Sequence, residues 1–368
     1  MPVRKKSIKR KKSLRTRRRK SKFKLSVKKK LRSFLLATIS VFLAVVSVIA
    51  YGAYKFINAP FSDAANMVTV KEGVWTDGGQ TTLLVALVED INDPYANLLK
   101  LKLVNLDDIS KKYRIYDLPV DVDIPYALNY GSGPLKRLYS VGNADQDRGM
   151  YAIEKTIFKL LAVKPDGYIV MDKSGLNKIS DELGEINQDD IAASLRLKNL
   201  PHLPAAISLI RTESLTNMKI SDVLSIIKFF HSTSSTSSSY KVLSKYYLLD
   251  SNNWDSLWQN RLDTSFVNKE NIKVFIANAS SDPKIPGLAA WGGRVVKNLG
   301  ANVLAEQNAF TEFNESTIIT DDLESETVRA LSKTFGIDNI VLVSSLNKFG
   351  GYNPHIFRAK ISLILTSF

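Results

Sequence analysis

The sequence predicts an α/β protein carried behind a single N-terminal membrane-spanning helix. Three observations predict it. A run of about 21 residues without charge, Phe34 to Tyr54, follows a strongly basic tail. Beyond it, apolar stretches of strand length alternate with stretches of helical periodicity. After a break near residue 250 the same alternation returns over a final stretch of about 95 residues, a size that folds alone. With 45% hydrophobic and 24% charged residues the composition is that of a folding chain, and 368 residues suffice for two cores.

Charge is spread unevenly. The formal net charge is +15, yet residues 1–32 hold 18 Lys/Arg and no acid, so the remainder is close to −3. The apolar run is long enough to cross ~30 Å of hydrocarbon and too long for a signal-peptide core. Lys28, Lys29, Lys30 and Arg32 abut it on one side against Lys55 on the other. The positive-inside rule then places the tail in the cytoplasm and the rest outside, as a single-pass protein of the cell membrane. Orientation and attraction to an anionic leaflet account for the tail, so no nucleic-acid partner is assigned. With no cysteine, disulfides, thiolate chemistry and cysteine-zinc sites are excluded. The expected organisation is tail 1–32, span 33–56, spacer 57–79, first α/β domain 80–250, linker 251–271 and second α/β domain 272–368.

In the first domain, Thr82 to Val88 is a continuous apolar run suited to a strand buried on both faces. Glu89 to Pro94 supplies the turn. Leu99, Leu101 and Leu103 alternate with Lys100 and Lys102, and Tyr113 to Tyr116 follows, giving two more strands. Met150, Ile153, Ile157, Leu160 and Leu161 recur at helical spacing, with Asp145 and Asp147 near the positive end of the dipole. Gly167 to Asp172 is a strand, followed by a helix from Ser174 as N-cap to Gly184 as C′. Ser221 is expected to cap a helix carrying Val223, Ile226, Ile227 and Phe230. Ser232 to Ser239 is of low complexity and reads as a loop, and Lys241 to Leu249 as one more strand. In the linker, Trp254 and Trp258, four apart, suggest one helical turn packed on a neighbouring domain.

The second domain opens with a strand at Val274 and Ile276. A helix from Gly287 to Leu299 is ended by Gly300. Strands at Val303 and at Thr317 to Ile319, a helix from Glu324 to Phe335 stopped by Gly336, and strands at Asn339 to Val343 and Ile361 to Leu365 complete it.

Two stretches resemble the LytR-CpsA-Psr family of bacterial envelope proteins. Ala152 to Leu161, Pro165 to Asp172 and Asp181 to Gly184 follow the pattern of its catalytic domain. Asp117-Leu118-Pro119-Val120-Asp121 falls where the family has Ser-Ile-Pro-Arg-Asp, and Leu138 to Gly142 where it has Ala-Tyr-x-x-Gly. Val274 to Ser280, Pro286 to Ala289 and Leu299 to Val303 are similar to its C-terminal accessory domain. The resemblance implies an anchored α/β sandwich that moves a glycopolymer from polyprenyl pyrophosphate to peptidoglycan with Mg²⁺.

The chain departs from that pattern where the chemistry lies. Phosphoryl transfer needs cations and metal-holding carboxylates facing a leaving group as its charge develops. Val120 stands where the family has arginine, Thr81 where it has an aspartate leading the first strand, and Gln188 to Met218 lacks its arginine-rich cluster. The only candidate catalytic residue is Asp121; candidate ligand contacts are Lys136, Arg137, Tyr139, Arg148 and Arg211, with no metal ligand assigned. Three histidines, His202, His231 and His355, have no metal spacing. The leading expectation is a binding or scaffolding protein with degenerate catalytic motifs. Its alternatives are an active Mg²⁺-dependent transferase whose clamp is rebuilt from Lys136, Arg137, Arg148 or Arg211, and a module that binds a glycan or envelope protein through its C-terminal domain.

Overall fold

A computed structural model describes residues 73–183, 203–233, 238–260, 265–281, 285–346 and 350–367, with positions 51, 54, 55, 59 and 61. Nearly all of the expected span, the basic tail, Gly184 and most of Gln188 to Met218 up to residue 202 lie outside the described residues. Among the described residues no helix is long and apolar enough to cross a membrane. The chain divides into Met1–Ala59 and Pro60–Phe368, and the second unit holds both of the larger sheets.

Strands β1 (Gln80–Val88), β2 (Leu98–Asp107), β3 (Lys112–Leu118), β4 (Asp123–Pro125), β5 (Ser132–Pro134), β6 (Gly167–Asp172), β7 (Ser214–Thr216) and β8 (Ser238–Val242) lie in the first half. Six of them form one mixed sheet in the order β7-β6-β1-β2-β3-β8, while β4 and β5 make a separate two-stranded ribbon. Its helices are α1 (Leu138–Ala144), α2 (Gly149–Leu161), α3 (Lys173–Leu183), α4 (Leu203–Glu213) and α5 (Ile220–Ser232). The apolar run of β1 is covered on both faces, as its continuity requires, and β1 runs parallel to β6 and antiparallel to β2. On β3, Tyr113 meets Phe230 of α5 on one face, whereas Tyr116, three residues on and therefore on the other face, meets Trp254.

Several local expectations are corrected by tertiary context. The alternation in β2 leaves Lys100 in water but not Lys102, which is 7% exposed with its ammonium 5.1 Å from the Tyr240 ring centroid. The cap before α3 is Asp172, whose Oδ1 accepts Gly175 N at 2.7 Å, so Ser174 falls inside the first turn. Before α5 the cap position is Lys219, and Asp222 Oδ2 accepts its backbone N–H at 2.8 Å. Asp145 and Asp147 precede α2 as expected, and Asn143 Oδ1 accepts Gly149 N at 2.8 Å in its first turn. The expected strand from Lys241 to Leu249 stops at Val242, and a helical turn, α6 (Tyr246–Leu249), follows. Ser232 and Ser238, expected in a loop, belong to α5 and β8.

The second half holds α7 (Ser251–Gln259), α8 (Phe266–Glu270), β9 (Lys273–Asn278), α9 (Leu288–Leu299), β10 (Asn302–Asn308), β11 (Thr317–Thr320), α10 (Glu326–Phe335), β12 (Ile340–Leu342) and β13 (Ile361–Leu365). The strands form a second sheet in the order β10-β9-β13-β11-β12. One face packs on α9 and α10 through Val274, Ile276, Leu363 and Leu331; the other, with Phe275 and Ile364, lies under Ile356 and Ala359. Gly300 and Gly336 end α9 and α10 with φ of 100° and 67°, the left-handed geometry that their missing Cβ permits.

What joins the halves is the C-terminal end of α2, where a helix leaves carbonyls without intrahelical partners. Trp291 Nε1 donates to Lys159 O (3.2 Å), Arg294 Nη2 to Leu160 O (3.2 Å), and Asn298 Nδ2 and Trp254 Nε1 to Leu161 O (3.1 and 2.9 Å). Three of these donors come from α9 and one from α7. Arg294 also holds Asp255 of α7 through two bonds, Nε to Oδ2 at 2.8 Å and Nη2 to Oδ1 at 3.1 Å. Phe158 of α2 packs edge-on against Trp291.

A carboxylate fixes the neighbouring contact. Glu270 accepts from Ser325 Oγ, Glu326 N, Thr327 N and Thr327 Oγ1 at 2.6–2.9 Å, closing the N-terminus of α10. Burial alone would raise its pKa, but these bonds outweigh it and hold the carboxyl below its ordinary value. A group depressed in the folded state stabilises above its unfolded pKa of about 4.3, and that contribution is lost as pH falls through the folded value. Urea unfolding of Glu270→Gln is therefore expected to show lower stability than wild type at pH 7, with the difference shrinking on acidification below about pH 4. An unchanged difference at all pH values would place the effect elsewhere.

Candidate functional site

In open α/β sheets, ligands gather beyond the carboxyl ends of the parallel strands. Here β1, β3 and β6 end on one edge: Val88 is paired with Asp172, and Leu101 of β2 with Leu118 of β3. The edge therefore carries the β1–β2 loop with Glu89 and Asp90, the segment Pro119 to Val122, and Asp172.

The acid-rich segment after β3 is closed by backbone, not by its own carboxylates: Lys136 N donates to Val120 O at 2.8 Å and Leu135 N to Val122 O at 3.0 Å. Asp117 instead accepts Tyr240 Oη at 2.7 Å. Asp121 is 77% exposed and takes Lys136 Nζ at 2.8 Å. Val120, in the position at which an arginine was expected, is half-buried and packs on the apolar core. Thr81, in the other departing position, is buried and its Oγ1 accepts Thr76 N at 3.2 Å, so it closes a turn.

The remaining candidates sit on different elements. Arg137 is exposed in the 3-10 turn Leu135–Arg137 beside Lys136. Tyr139 is 3% exposed and belongs to the core, where burial raises its hydroxyl pKa. Arg148 precedes α2, bonded to Gln146 Oε1 at 3.0 Å and 3.9 Å from Asp145, which in turn accepts Tyr130 Oη. Arg211 sits in the last turn of α4, next to β7 at the far edge of the sheet. Of the histidines, His231 lies in the last turn of α5, His355 stacks on Phe275 at 5.4 Å, and His202 is outside the described residues.

Asp172 was not singled out by sequence, although it ends the apolar run Gly167 to Met171. It is 8% exposed, and both oxygens are taken by backbone, Gly175 N on Oδ1 at 2.7 Å and Ile91 N on Oδ2 at 3.3 Å. Its signal was positional: an acid at the end of a parallel strand, immediately before a helix. Magnesium requires several oxygen ligands in octahedral array. Asp121 already faces an ammonium and Asp172 already caps a helix, so these residues do not fit that ion. Among the described residues no group of three or more His, Asp or Glu is arranged to hold a metal.

The chain is thus a mixed α/β protein with two larger sheets among the described residues, the first of which presents an exposed lysine–carboxylate pair at its carboxyl edge. No family model matches it, and no curated protein does. Solved structures similar to it include the transcriptional regulator yvhJ from Bacillus subtilis, 16% identical over 46% of this chain and 84% of that one, TM-score 0.36. TagV of B. subtilis is 13% identical over 46% and 86%, with a TM-score of 0.40. TagT bound to LIIa-WTA is 15% identical over 50% and 86%, with a TM-score of 0.33. All three lie below 25% identity and a TM-score of 0.5, so the reading of the site rests on this chain's own residues.

Proposed function

We propose that this is a membrane-anchored protein of the bacterial envelope, of LytR-CpsA-Psr type, that binds or scaffolds envelope components instead of transferring a polymer. Its N-terminus is cytoplasmic and both α/β halves are outside. Its partners are the anionic leaflet and, beyond it, a wall glycan or another envelope protein. The observation that carries this reading is the 2.8 Å pair between Lys136 Nζ and Asp121 Oδ1 beside an apolar Val120. The carboxylate that the family resemblance would use is neutralised by its neighbour. The position that should grip a diphosphate has no side-chain donor to offer.

Loss of a single oriented donor commonly costs ~10²- to 10³-fold in rate. Here Lys136 and Arg137 follow β5, Arg148 precedes α2 and Arg211 lies by β7, so a rebuilt clamp would have to draw on three separate elements. The full-length protein in detergent, given a polyprenyl pyrophosphate and Mg²⁺, is expected to release no phosphate above a protein-free control. Robust Mg²⁺-dependent turnover, abolished by Asp121→Asn, would overturn the reading and restore the transferase.

A further inference from the structure

The opposite edge of the first sheet, at the N-terminal end of β1, carries a surface that the site above does not use. The chain comes onto it at Phe61, whose N–H donates to Met218 O at 2.9 Å and whose ring is buried. Residues 73–79 then run along the edge. Trp75 N donates to Asp222 Oδ1 (3.0 Å) and Gly78 N to Asp108 Oδ2 (2.9 Å).

Three exposed apolar side chains lie on elements that border this edge. Ile109 follows Asp108 in the β2–β3 turn, Leu224 lies on the exposed face of α5 one turn before Lys228, and the Phe266 ring comes within 3.7 Å of the position a Cβ on Gly78 would take. They are 37%, 44% and 42% exposed respectively.

Lysines surround them. Lys112, Lys228 and Lys269 are exposed, the last with its ammonium 5.6 Å from the Phe266 ring centroid. Lys111, Lys219 and Lys333 are half-buried nearby. The acids facing the same edge are Asp77, Asp107, Asp108, Asp166, Asp222 and Glu270; Asp107 is buried under the N–H groups of Ile109 and Ser110, and Glu270 is taken up by the N-terminus of α10. Lys111 pairs with Asp108, Lys333 lies 2.9 Å from Asp166, and Asp222 is buried under the backbone N–H groups of Trp75 and Lys219. The balance left to solvent is positive.

We propose that this edge docks on an anionic lipid surface, with Ile109, Leu224 and Phe266 entering the headgroup boundary and Lys112, Lys228 and Lys269 facing the phosphates. Apolar and aromatic side chains ringed by lysine are what such a boundary accommodates. The inference rests on the anchored reading above.

The absence of cysteine makes single-site labelling clean. Full-length Ile109→Cys, Phe266→Cys and Tyr95→Cys, each carrying an environment-sensitive fluorophore, are reconstituted into nanodiscs of phosphatidylcholine with or without phosphatidylglycerol. Tyr95 is 74% exposed in the β1–β2 loop at the other end of β1 and serves as the control. Lipid-borne nitroxide is expected to quench the labels at 109 and 266 when phosphatidylglycerol is present, and at 95 in neither lipid. Raised salt is expected to reduce the quenching, and K112E/K228E/K269E to weaken docking roughly fivefold per lysine. Leu224→Cys replaces any labelled variant that fails to fold.

Discs that contain the protein while labels at 109 and 266 stay unquenched overturn the docking surface alone. Protein that does not enter discs, judged by size-exclusion chromatography, overturns the anchor and the docking surface together.

Discussion

Trp254→Ala is expected to lower the free energy of unfolding by about 3–5 kcal/mol, the range for deleting a fully buried large aromatic side chain. Trp254 is 0% exposed, with its ring 5.4 Å from that of Tyr116 and 5.1 Å from that of Trp258. Its Nε1 is also a donor to Leu161 O at the end of α2. Truncation therefore combines a cavity with the loss of a buried hydrogen bond. Trp254→Phe separates the two, because it keeps most of the ring and removes only the N–H; a loss of about 1–2 kcal/mol is expected. Urea unfolding followed by circular dichroism measures both. A loss below 1 kcal/mol for the alanine variant would mean that the α7 contact is peripheral to the fold.

A chain ended at Asn271 is expected to be destabilised by at least about 4 kcal/mol, or to show a melting midpoint lower by ~10 °C or more. The cut removes Trp291, Arg294 and Asn298, the donors that α9 supplies to Lys159 O, Leu160 O and Leu161 O. It also bares Phe158 and leaves Trp258 Nε1, which donates to Asn298 O at 3.0 Å, without that acceptor. Water can satisfy the carbonyls once they are exposed, so most of the loss comes from uncovered apolar surface and from Asp255, which loses Arg294. A truncated chain with an unchanged midpoint would mean that the two halves fold independently. The result also bears on the idea of a C-terminal binding arm carried on a spacer: side chains from α9 bonded into the last turn of α2 make the second half a structural support of the first.

Much of the strand and helix pattern was legible because it depends on local chemistry. The unbroken apolar run of β1 needs cover on both faces wherever it lies, and Gly300 and Gly336 end helices because they tolerate φ that other residues resist. Capping was less legible. Ser174 and Ser221 are good local caps, but Asp172 and Asp222 lie where a second segment, at Ile91 or Trp75, brings another N–H to the same carboxylate. A cap shared between distant segments leaves no mark in a single window of sequence. The candidate site divides the same way. Asp121 and Lys136 were both named, yet nothing in their fifteen-residue separation says that the hairpin-like ribbon of β4 and β5 returns one to the other.

By itself the sequence determined the alternation of strands and helices, the glycine stops, the concentration of positive charge in the first 32 residues, and the apolar character of position 120, since each follows from a residue's own volume, charge or backbone freedom. Only the tertiary structure decided that Tyr139 is a core residue, that Lys136 is matched to Asp121, and that α9 closes the end of α2. Those outcomes depend on which groups exclude water together, and desolvation is a property of the packed assembly, not of any residue within it.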